Sequence, residues 1–436
     1  MYSGTRRIGI GPSPRLAYLD NLKVALVAGV ISVHVAITYG MHGSWYLASY
    51  DRVAAPLRDL LTAIGAIGWL FAMGLFFLIS GWLSAPSLGR KGPGRFMRER
   101  LFRLGLPLVA YTLFVGPVLE YASVRTDGGS QEFWPFVSGA VWGFDPGPTW
   151  FLAALLVFSA VLAAWYALSR AGSSEPGPIG WLHLAGRHVA GIAVLIAIAS
   201  FATRLFLPLG SDQFHLQLPV FPQYAILFAF GAAGARRGWF DQLPRQLTRR
   251  CGIAALAAVL LLPVALAAGG LFSGSKEAFS GGWHWQALAA GLIEGTLATC
   301  ACLWVLALFQ RRFAHQGRLT RQLGNGAYGA FLLHPPVIVG LALAVQPLVI
   351  AAVFKLAIVL CVGIAASFGL AMLVTRIRPV AQVIGATSSR LQARVALPAM
   401  EHHRGRAGAE PATRAGARSD AHTAARPGRE RAAPAR

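Results

Sequence analysis

Three ionisable side chains lie deep inside long apolar runs of this sequence, where each could take part in a proton transfer. They are His34, Glu294 and His334. A titratable group inside hydrocarbon costs a few kcal/mol or more, so its presence there indicates a function by default. An imidazole titrates near neutral pH and can take a proton from a hydroxyl group. We predict a catalytic group of these three residues. The alternative is that each is a packed, hydrogen-bonded side chain bridging helices.

Two basic patterns accompany these residues. His34 follows Lys23 by eleven residues, which on an α-helix is roughly 16 Å of rise and a rotational offset of only about 20°. The two side chains therefore share one stripe. Arg100 and Arg103 stand at the expected start of the third apolar run, spaced so that both can face the same way. Guanidinium forks suit phosphate oxygens, so we predict that this arginine pair binds phosphate. The alternative is that the arginines only set the membrane topology.

The elements that must position these side chains are membrane helices. The chain has 436 residues, of which 55% are hydrophobic and only 13% charged, more apolar than a soluble core of this size needs. We predict an all-α polytopic membrane helix bundle, with runs of about 18 or more apolar residues crossing about 30 Å of hydrocarbon. Its transmembrane helices, about ten by this criterion, are expected at 19–40, 60–84, 101–121, 149–169, 189–206, 219–236, 251–272, 285–309, 323–346 and 347–374.

Proline makes the end of this arrangement the least regular part. Pro335 and Pro336 follow His334 directly, and they remove backbone donors. We predict that they break the ninth helix, at a place where broken backbone can line a cavity. A second consequence of this interpretation is that the last two spans could form one broken element.

Charge predicts the topology. With a cytoplasmic N-terminus, most of the 39 Lys and Arg residues fall in cytoplasmic segments, so both termini are expected to be cytoplasmic. The net charge of +22 is spread over these segments, which argues against nucleic acid and for contact with anionic lipid. We expect a short basic cytoplasmic N-terminus at 1–14, a transmembrane domain at 15–380 and a basic disordered cytoplasmic tail at 381–436.

The four cysteines predict no metal chemistry. All of them lie in apolar spans, without metal-type spacing or an extracellular disulfide pattern: Cys251, Cys300, Cys302 and Cys361. They are interpreted as small core residues, and no metal site is expected.

Five short patterns follow one another along the chain at spacings compatible with the expected topology. Each is weak alone, because short apolar patterns arise easily in membrane proteins. They are "LDNLK" with Lys23 ten intervening residues before His34, "FFLISG" at Phe76 to Gly81, Arg100 and Arg103 followed by Pro107, "TWFLAALLVF" from Thr149, and "AYGAFLLHPPVI" from Ala327.

In this order the patterns resemble the acyltransferase 3 family of multi-pass membrane acyltransferases, particularly its glucan biosynthesis protein C-like branch. The resemblance covers roughly residues 15 to 375. Two positions depart from the family pattern. Lys23 stands where arginine is commoner, which keeps the charge but loses the bidentate fork, and Phe331 stands where tyrosine is frequent. The second departure weakens any role for a hydroxyl group at that position.

The resemblance implies an integral membrane O-acyltransferase in the cell membrane, expected to be a bacterial plasma membrane. It would move an acyl group from cytoplasmic acyl-CoA to a hydroxyl of a glycan, lipid-linked sugar or similar acceptor. Acetyl-CoA is the expected donor, with succinyl as the alternative. The CoA phosphates would meet Arg100, Arg103 and Lys23, and His34 would act as general base or as acyl relay. Asp20 is expected to pair with Lys23 or to act as an anion in the first turn of the helix.

Two other functions fit the same features. A proton-coupled secondary transporter would also have ten spans, broken helices and midplane histidine and glutamate residues. A non-catalytic scaffold or sensor would tolerate loss of His34.

Overall fold

The fold of the described residues is entirely helical. A computed structural model of the chain describes residues 17–143, 145–171, 183–211, 216–270, 276–377 and 381. Its α-helices are α1 (Ala17–Thr38), α2 (Ala55–Lys91), α3 (Pro93–Arg100), α4 (Leu106–Ala110), α5 (Gly116–Thr126), α6 (Phe133–Gly143), α7 (Trp150–Ala171), α8 (Gly186–Arg204), α9 (Phe221–Arg237), α10 (Arg245–Ala268), α11 (Lys276–Ser280), α12 (Trp285–Arg312), α13 (Arg318–Val345) and α14 (Ala352–Val374).

Ten helical segments of the described chain are long and apolar enough to cross a membrane. Nine are α1, α2, α8, α10, α12, α13 and α14 together with the segments that contain α7 and α9, and the tenth is the composite Pro93–Thr126. The predicted all-α membrane bundle with ten spans is therefore confirmed. The predicted N-terminal segment 1–14 lies outside the described residues, as does the predicted tail 381–436 apart from its first residue, so both assignments stay predictions.

The third span departs from its prediction. Its helical structure begins at Pro93, not near Leu101, because Gly92 takes a positive φ of 74° and Pro93 is preset for the first helical turn. The first residues of this helix are rich in arginine, so a criterion based on apolar residues misses the boundary. Leu101–Gly105 and Tyr111–Val115 are π-helical turns within the span. Arg100 and Arg103 thus lie on either side of the change from α to π geometry, and the regular i, i+3 argument does not apply to them.

The ninth span is also different from its prediction, since Pro335 and Pro336 do not break it. α13 continues through both prolines to Val345, and α14 is a separate helix beginning at Ala352. In an α-helix the N–H of residue 335 would donate to the carbonyl of Phe331, and proline has no N–H to give. That carbonyl accepts a hydrogen bond from the His334 ring instead, so the freed acceptor is satisfied without a break.

Glycine lets α2 and α9 approach closely enough to place aromatic rings between them. A Cβ on Gly81 would lie 2.0 Å from the Phe228 carbonyl oxygen, and a Cβ on Gly231 would lie 2.1 Å from that of Leu78. Only a residue without a side chain fits at such a contact, as is common between membrane helices. The small residue at the end of "FFLISG" is therefore a packing residue.

Aromatic side chains from the sequence patterns meet in one buried cluster beside this contact. The Phe77 ring stacks on Tyr224 with centroids 4.8 Å apart and lies 4.9 Å from Phe151. Phe151 in turn lies 5.9 Å from Phe331, three residues before His334. Side chains from "FFLISG", "TWFLAALLVF" and "AYGAFLLHPPVI" therefore meet next to His334.

Candidate functional site

The structure brings His34 and His334 into direct contact. His34 is on α1 and His334 on α13, and the His34 Nδ1 and His334 Nε2 atoms are 3.0 Å apart. The two rings are nearly parallel, with centroids 5.1 Å apart. His334 has no exposed surface, whereas His34 is only half-buried and lines a cavity. Two residues 300 positions apart in the sequence therefore form one polar unit inside the bundle.

Hydrogen bonding sets the tautomers of both rings. His334 Nδ1 lies 2.5 Å from the Phe331 carbonyl oxygen, which can only accept, so Nδ1 carries the hydrogen. In a neutral ring the His334 Nε2 atom must then accept, and the His34 Nδ1 atom must donate to it. The His34 Nε2 atom is left with a free lone pair. That nitrogen has the electronic requirement of a general base.

A loop between α1 and α2 covers the outer face of His34. The Trp45 indole stacks on the His34 ring with centroids 3.9 Å apart and an interplanar angle of 16°. The loop is tied to the end of α1 by backbone hydrogen bonds from Ser49 to Thr38 and from Val53 to Tyr39. The buried Trp45 Nε1 has no hydrogen-bond partner among the described residues. Trp45 thus fixes the plane of the imidazole and adds an unused donor beside it.

A cavity of about 790 Å³ opens at His34. Its volume is within the usual range of small-molecule sites. Aromatic rings form much of its wall, together with two carboxylates and a few polar groups. The wall includes the side chains of Trp45, Tyr46, Trp69, Glu120, Asp145 and Trp150.

Tyr46 brings a protonated hydroxyl group to this cavity. Burial raises the pKa of the Tyr46 phenol well above its ordinary value, and the nearby Asp145 and Glu120 carboxylates raise it further. The Tyr111 hydroxyl donates to the Tyr46 oxygen over 3.3 Å. Tyr46 therefore keeps its own proton at neutral pH.

Glu294 is placed in a different environment. Its carboxylate forms an ion pair with Arg204 of α8 at 2.5 Å and accepts a hydrogen bond from Ser200 at 3.3 Å. Both charged side chains are almost completely buried, with 2% and 3% exposure, and neither is among the residues that line the cavity. Of the two interpretations made from the sequence, these contacts favour the helix bridge, and a catalytic role for Glu294 stays a prediction.

The predicted phosphate-binding arginines lie at the other end of α2. The Arg100 guanidinium donates to the Ser84 hydroxyl at 2.6 Å and lies over the Phe96 ring. The Arg103 carbonyl accepts a hydrogen bond from the Tyr328 hydroxyl at 2.7 Å, which ties the π-helical turn to α13. π-Helical turns inside α-helices frequently occur at functional sites. The phosphate-binding role of Arg100 and Arg103 stays a prediction.

Lys23 forms the ion pair that the sequence predicts. Its Nζ atom lies 3.3 Å from the Asp20 Oδ1 atom, one turn earlier on α1. The neighbouring Asn21 side chain donates to the carbonyl groups of Phe313 and His315, and so holds the start of α1 against the end of α12. The "LDN" part of the first pattern is explained by these contacts.

The arginine end and the cavity are at opposite ends of the bundle. The cavity uses the first half of α2, from Thr62 to Trp69, whereas Arg100 is bound by Ser84 in the second half. At 1.5 Å per residue, Thr62 and Ser84 are about 33 Å apart along the helix. His34 is part of the cavity wall and lies four residues before the end of α1, so it is on the cavity side of the bundle.

Sequence reasoning missed several residues of this arrangement. Four residues that make its contacts have no role assigned from the sequence, namely Trp45, Ser84, Arg204 and Tyr328. Arg204 forms the ion pair that neutralises Glu294. Two of them carried a signal. Arg204 is a basic residue at the end of an apolar run, and such a residue is a candidate partner for an intramembrane acid. Tyr328 lies within the fifth pattern, "AYGAFLLHPPVI". The others need the fold, since loop and helix neighbours are not encoded in local spacing.

Metal chemistry has no obvious site in the described part of the chain, where no cluster of three or more His, Cys, Asp or Glu side chains could hold an ion. Cys251, Cys300 and Cys302 are buried within the bundle, as core residues would be. Cys361 differs from its prediction, because α14 exposes it on its surface.

A protein-family model covers almost the whole chain. The model of the acyltransferase 3 family, described as an acyltransferase domain, matches residues 16–376. The chain belongs to this family. The matched region is an acyltransferase domain and contains every predicted site residue, and the family resemblance read from the sequence is confirmed.

The curated relatives share a narrower region. The glucans biosynthesis protein C of Salmonella schwarzengrund is 30% identical over 180 residues, which are 38% of this chain and 44% of that protein. The proteins of the same name from Salmonella paratyphi B and Salmonella heidelberg are each 29% identical over the same shares. The match thus spans less than half the length of these relatives. No solved structure matches the chain.

Proposed function

We propose that this protein is a membrane O-acyltransferase that moves an acyl group from cytoplasmic acyl-CoA to a hydroxyl group of a glycan, lipid-linked sugar or similar acceptor. One observation carries the proposal. The imidazole of His34 lies at a cavity, is hydrogen-bonded from behind by His334, and keeps an Nε2 lone pair. Membership of an acyltransferase family gives this base a reaction to perform.

The reaction balances with the groups present. His34 Nε2 takes the proton of the acceptor hydroxyl, and the oxygen attacks the thioester carbonyl. The new carbon–oxygen bond forms, the carbon–sulfur bond breaks, and the leaving thiolate receives the proton from the His34 imidazolium. The imidazolium keeps its Nδ1–H bond to His334 during the step, which stabilises the charge that develops.

The donor is proposed to enter at the arginine end. Arg100 and Arg103 present guanidinium groups there, and Lys23 lies on the same helix as His34, roughly 16 Å away. Three cations at one end suit the phosphates of CoA. Acetyl-CoA is the expected donor, and succinyl-CoA is the alternative. By the positive-inside rule this end faces the cytoplasm, which leaves the cavity on the outer side for the acceptor.

The relatives' name and the cavity support a glucan as the proposed acceptor. Proteins called glucans biosynthesis protein C match this chain, so a glucan is the first acceptor to test. The outward cavity would let a glycan reach His34 without crossing the bilayer. We place the protein in the bacterial plasma membrane, as the family resemblance implies.

The test supplies membranes containing the protein with radiolabelled acetyl-CoA or succinyl-CoA and a glucan acceptor. His34→Ala and Arg100→Ala are compared with the unchanged protein at matched expression. Arg249→Ala is the control, because it removes an exposed arginine of α10 outside the proposed donor site. We expect label in the glucan only with the unchanged protein and the control. Equal labelling by all four overturns the proposal, and proton-driven uptake without transfer would indicate a transporter.

Initial-rate kinetics distinguish the two roles of His34. Direct transfer with His34 as base predicts sequential kinetics, in which both substrates bind before product leaves. Ping-pong kinetics together with an acylated His34 in quenched samples would instead establish the relay.

A further inference from the structure

We propose that Lys355 is a positioning residue for acyl transfer, because it holds the loop that stacks Trp45 on His34. This inference rests on the proposed function and adds to it a residue outside the cavity. Lys355 is on α14 and is not among the residues that line the cavity, so it acts through the loop between α1 and α2, residues 39–54.

Lys355 is a buried lysine in a place that disfavours one. It is the fourth residue of α14 and is only 3% exposed. Lysine is almost never fully buried unless it is paired, and a cation near the start of a helix is opposed by the helix dipole. By the proposed topology this end of α14 faces outward, where the positive-inside rule gives no reason for a lysine. A specific partner must account for it.

The Lys355 ammonium group joins two other segments of the bundle. Its Nζ atom lies 2.5 Å from the Asp51 Oδ2 atom and donates to the Gln346 carbonyl at 2.8 Å. Gln346 directly follows α13, the helix that carries His334. Asp51 is in the loop between α1 and α2. One cation thus connects the helix of one histidine to the loop that covers the other.

Asp51 lies where it can hold that loop. It is between Ser49 and Val53, whose backbone N–H groups donate to carbonyl groups at and just after the end of α1. Trp45 stacks on the His34 ring from the same loop. The ion pair therefore attaches to α14 the segment on which the position of the indole depends.

The ion pair also adds direction to an apolar anchor. Leu47 of the loop is 4% exposed and belongs to a buried cluster with Val339 and Ala342 of α13. Apolar contact is non-directional, so it keeps the loop against the bundle without orienting it. A charge-assisted hydrogen bond has a defined geometry. The contact of Lys355 with Asp51 can therefore fix the orientation of the loop.

The test measures kcat and KM of acyl transfer by the full-length protein in nanodiscs. Lys355→Met keeps most of the length of the side chain and removes its charge. We expect kcat to fall by about 2- to 12-fold, no more than in Trp45→Ala, because the lysine acts through the stacked indole. KM for acyl-CoA should not change, since the proposed donor site is at the other end of the bundle.

A double-mutant cycle separates positioning from general support of the fold. If Lys355 acts through Trp45, adding Lys355→Met to Trp45→Ala lowers kcat no further. Two independent structural effects would instead multiply.

Variants of Asp51 test the ion pair from its other side. Asp51→Glu keeps the charge on a side chain that is 46% exposed, and it should keep kcat. Asp51→Asn leaves a buried charge unpaired, which is destabilising, so it is combined with Lys355→Met and should then match Lys355→Met alone. Asp59→Asn is the matched control, because it removes the exposed carboxylate of another ion pair, with Arg58, and should keep kcat.

Hydrogen exchange of the loop gives a readout that needs no reaction. The amides of Ser49 and Val53 should exchange faster in Lys355→Met than in the unchanged protein, because the loop opens more often. Their exchange should be unchanged in Asp51→Glu and Asp59→Asn.

Three outcomes overturn the inference. These are a normal kcat in Lys355→Met, losses that multiply when Lys355→Met is added to Trp45→Ala, and unchanged exchange of the loop amides in Lys355→Met. The proposed function fails separately, when the unchanged protein transfers no acyl group, and loop exchange then still decides whether Lys355 holds the loop.

Discussion

His34 and His334 join α1 to α13, while Arg204 and Glu294 join α8 to α12. Both pairs place titratable side chains in the interior of a membrane bundle, and in both a polar contact joins side chains of two different helices. The histidine pair adjoins a cavity and keeps a lone pair on one nitrogen. The ion pair has no open space beside it, since the Arg204 and Glu294 side chains are only 2% and 3% exposed and neither lines the cavity. The Ser200 hydroxyl donates a further hydrogen bond to the Glu294 carboxylate.

We expect this difference to separate a catalytic pair from a structural one. A buried ionisable group can act on a substrate only when an atom of it faces space that the substrate can enter. A closed ion pair offers no such atom, and its removal leaves an uncompensated charge. Burial alone, which made all three residues candidates, does not distinguish these cases.

The largest expected effect is on catalysis at the histidine pair. His34→Ala should lower the rate of acyl transfer by about 10²- to 10⁴-fold, because the general base is lost. Thermal unfolding of the purified protein should hardly change, since His34 is half-buried beside a cavity. His315→Ala, which removes an exposed histidine, is the control and should leave both measurements unchanged.

The ion pair should show the reverse behaviour. Glu294→Ala should lower the free energy of unfolding by about 3–5 kcal/mol, because the buried Arg204 charge loses its partner. The double variant Arg204→Met with Glu294→Leu should recover most of the stability. Thermal unfolding in nanodiscs measures both. A Glu294→Ala protein with normal stability but no acyl transfer would contradict the comparison and support the catalytic prediction for Glu294.

A smaller effect is expected from the proline that follows His334. Pro335→Ala restores a backbone N–H that competes with the His334 ring for the Phe331 carbonyl. Loss of this orienting bond should lower the rate of acyl transfer by about 10- to 100-fold, by analogy with metal-bound histidines that lose their outer hydrogen-bond partner.

Pro336→Ala is a matched control for this change. It restores a neighbouring N–H whose helical acceptor is Leu332, and no histidine ring bonds to that carbonyl. The control should keep its rate. Equal loss in both variants would mean that the prolines shape the helix and do not set the tautomer.

The smallest effect is expected at the stacked indole. Trp45→Ala removes a stacking contact of the His34 ring, and contacts of this kind contribute about 0.5–1.5 kcal/mol. The rate of acyl transfer should fall by about 2- to 12-fold, which is that energy range converted to a rate. Trp283→Ala, which truncates a tryptophan that is 81% exposed, should not affect the rate. A larger loss in Trp45→Phe than stacking explains would implicate the indole N–H.

Much of the fold follows from the sequence because a bilayer imposes simple rules. Apolar length alone predicts ten spans, and the structure has ten. The errors occur where local backbone chemistry outweighs length. Gly92 and Pro93 start the third span early, and the helix tolerates Pro335 because a side chain replaces the missing donor.

Less of the candidate site follows from the sequence. The spacing of Lys23 and His34 and the depth of His334 give two of its parts. The contact between the histidines depends on how α1 packs against α13, and the partner of Glu294 depends on α8. The spacing of residues in the sequence fixes their positions along one helix. Which residues of two helices touch depends on how the helices are rotated relative to each other.

The sequence by itself determined the class of this protein, the number of its membrane helices and the family to which it belongs. These properties depend on hydrophobic length and on short patterns, which are local quantities. Only the tertiary structure decided which buried ionisable groups face a cavity and which neutralise one another. The physical reason is that the cost of a buried charge or lone pair depends on its nearest partners, and those partners come from distant parts of the chain.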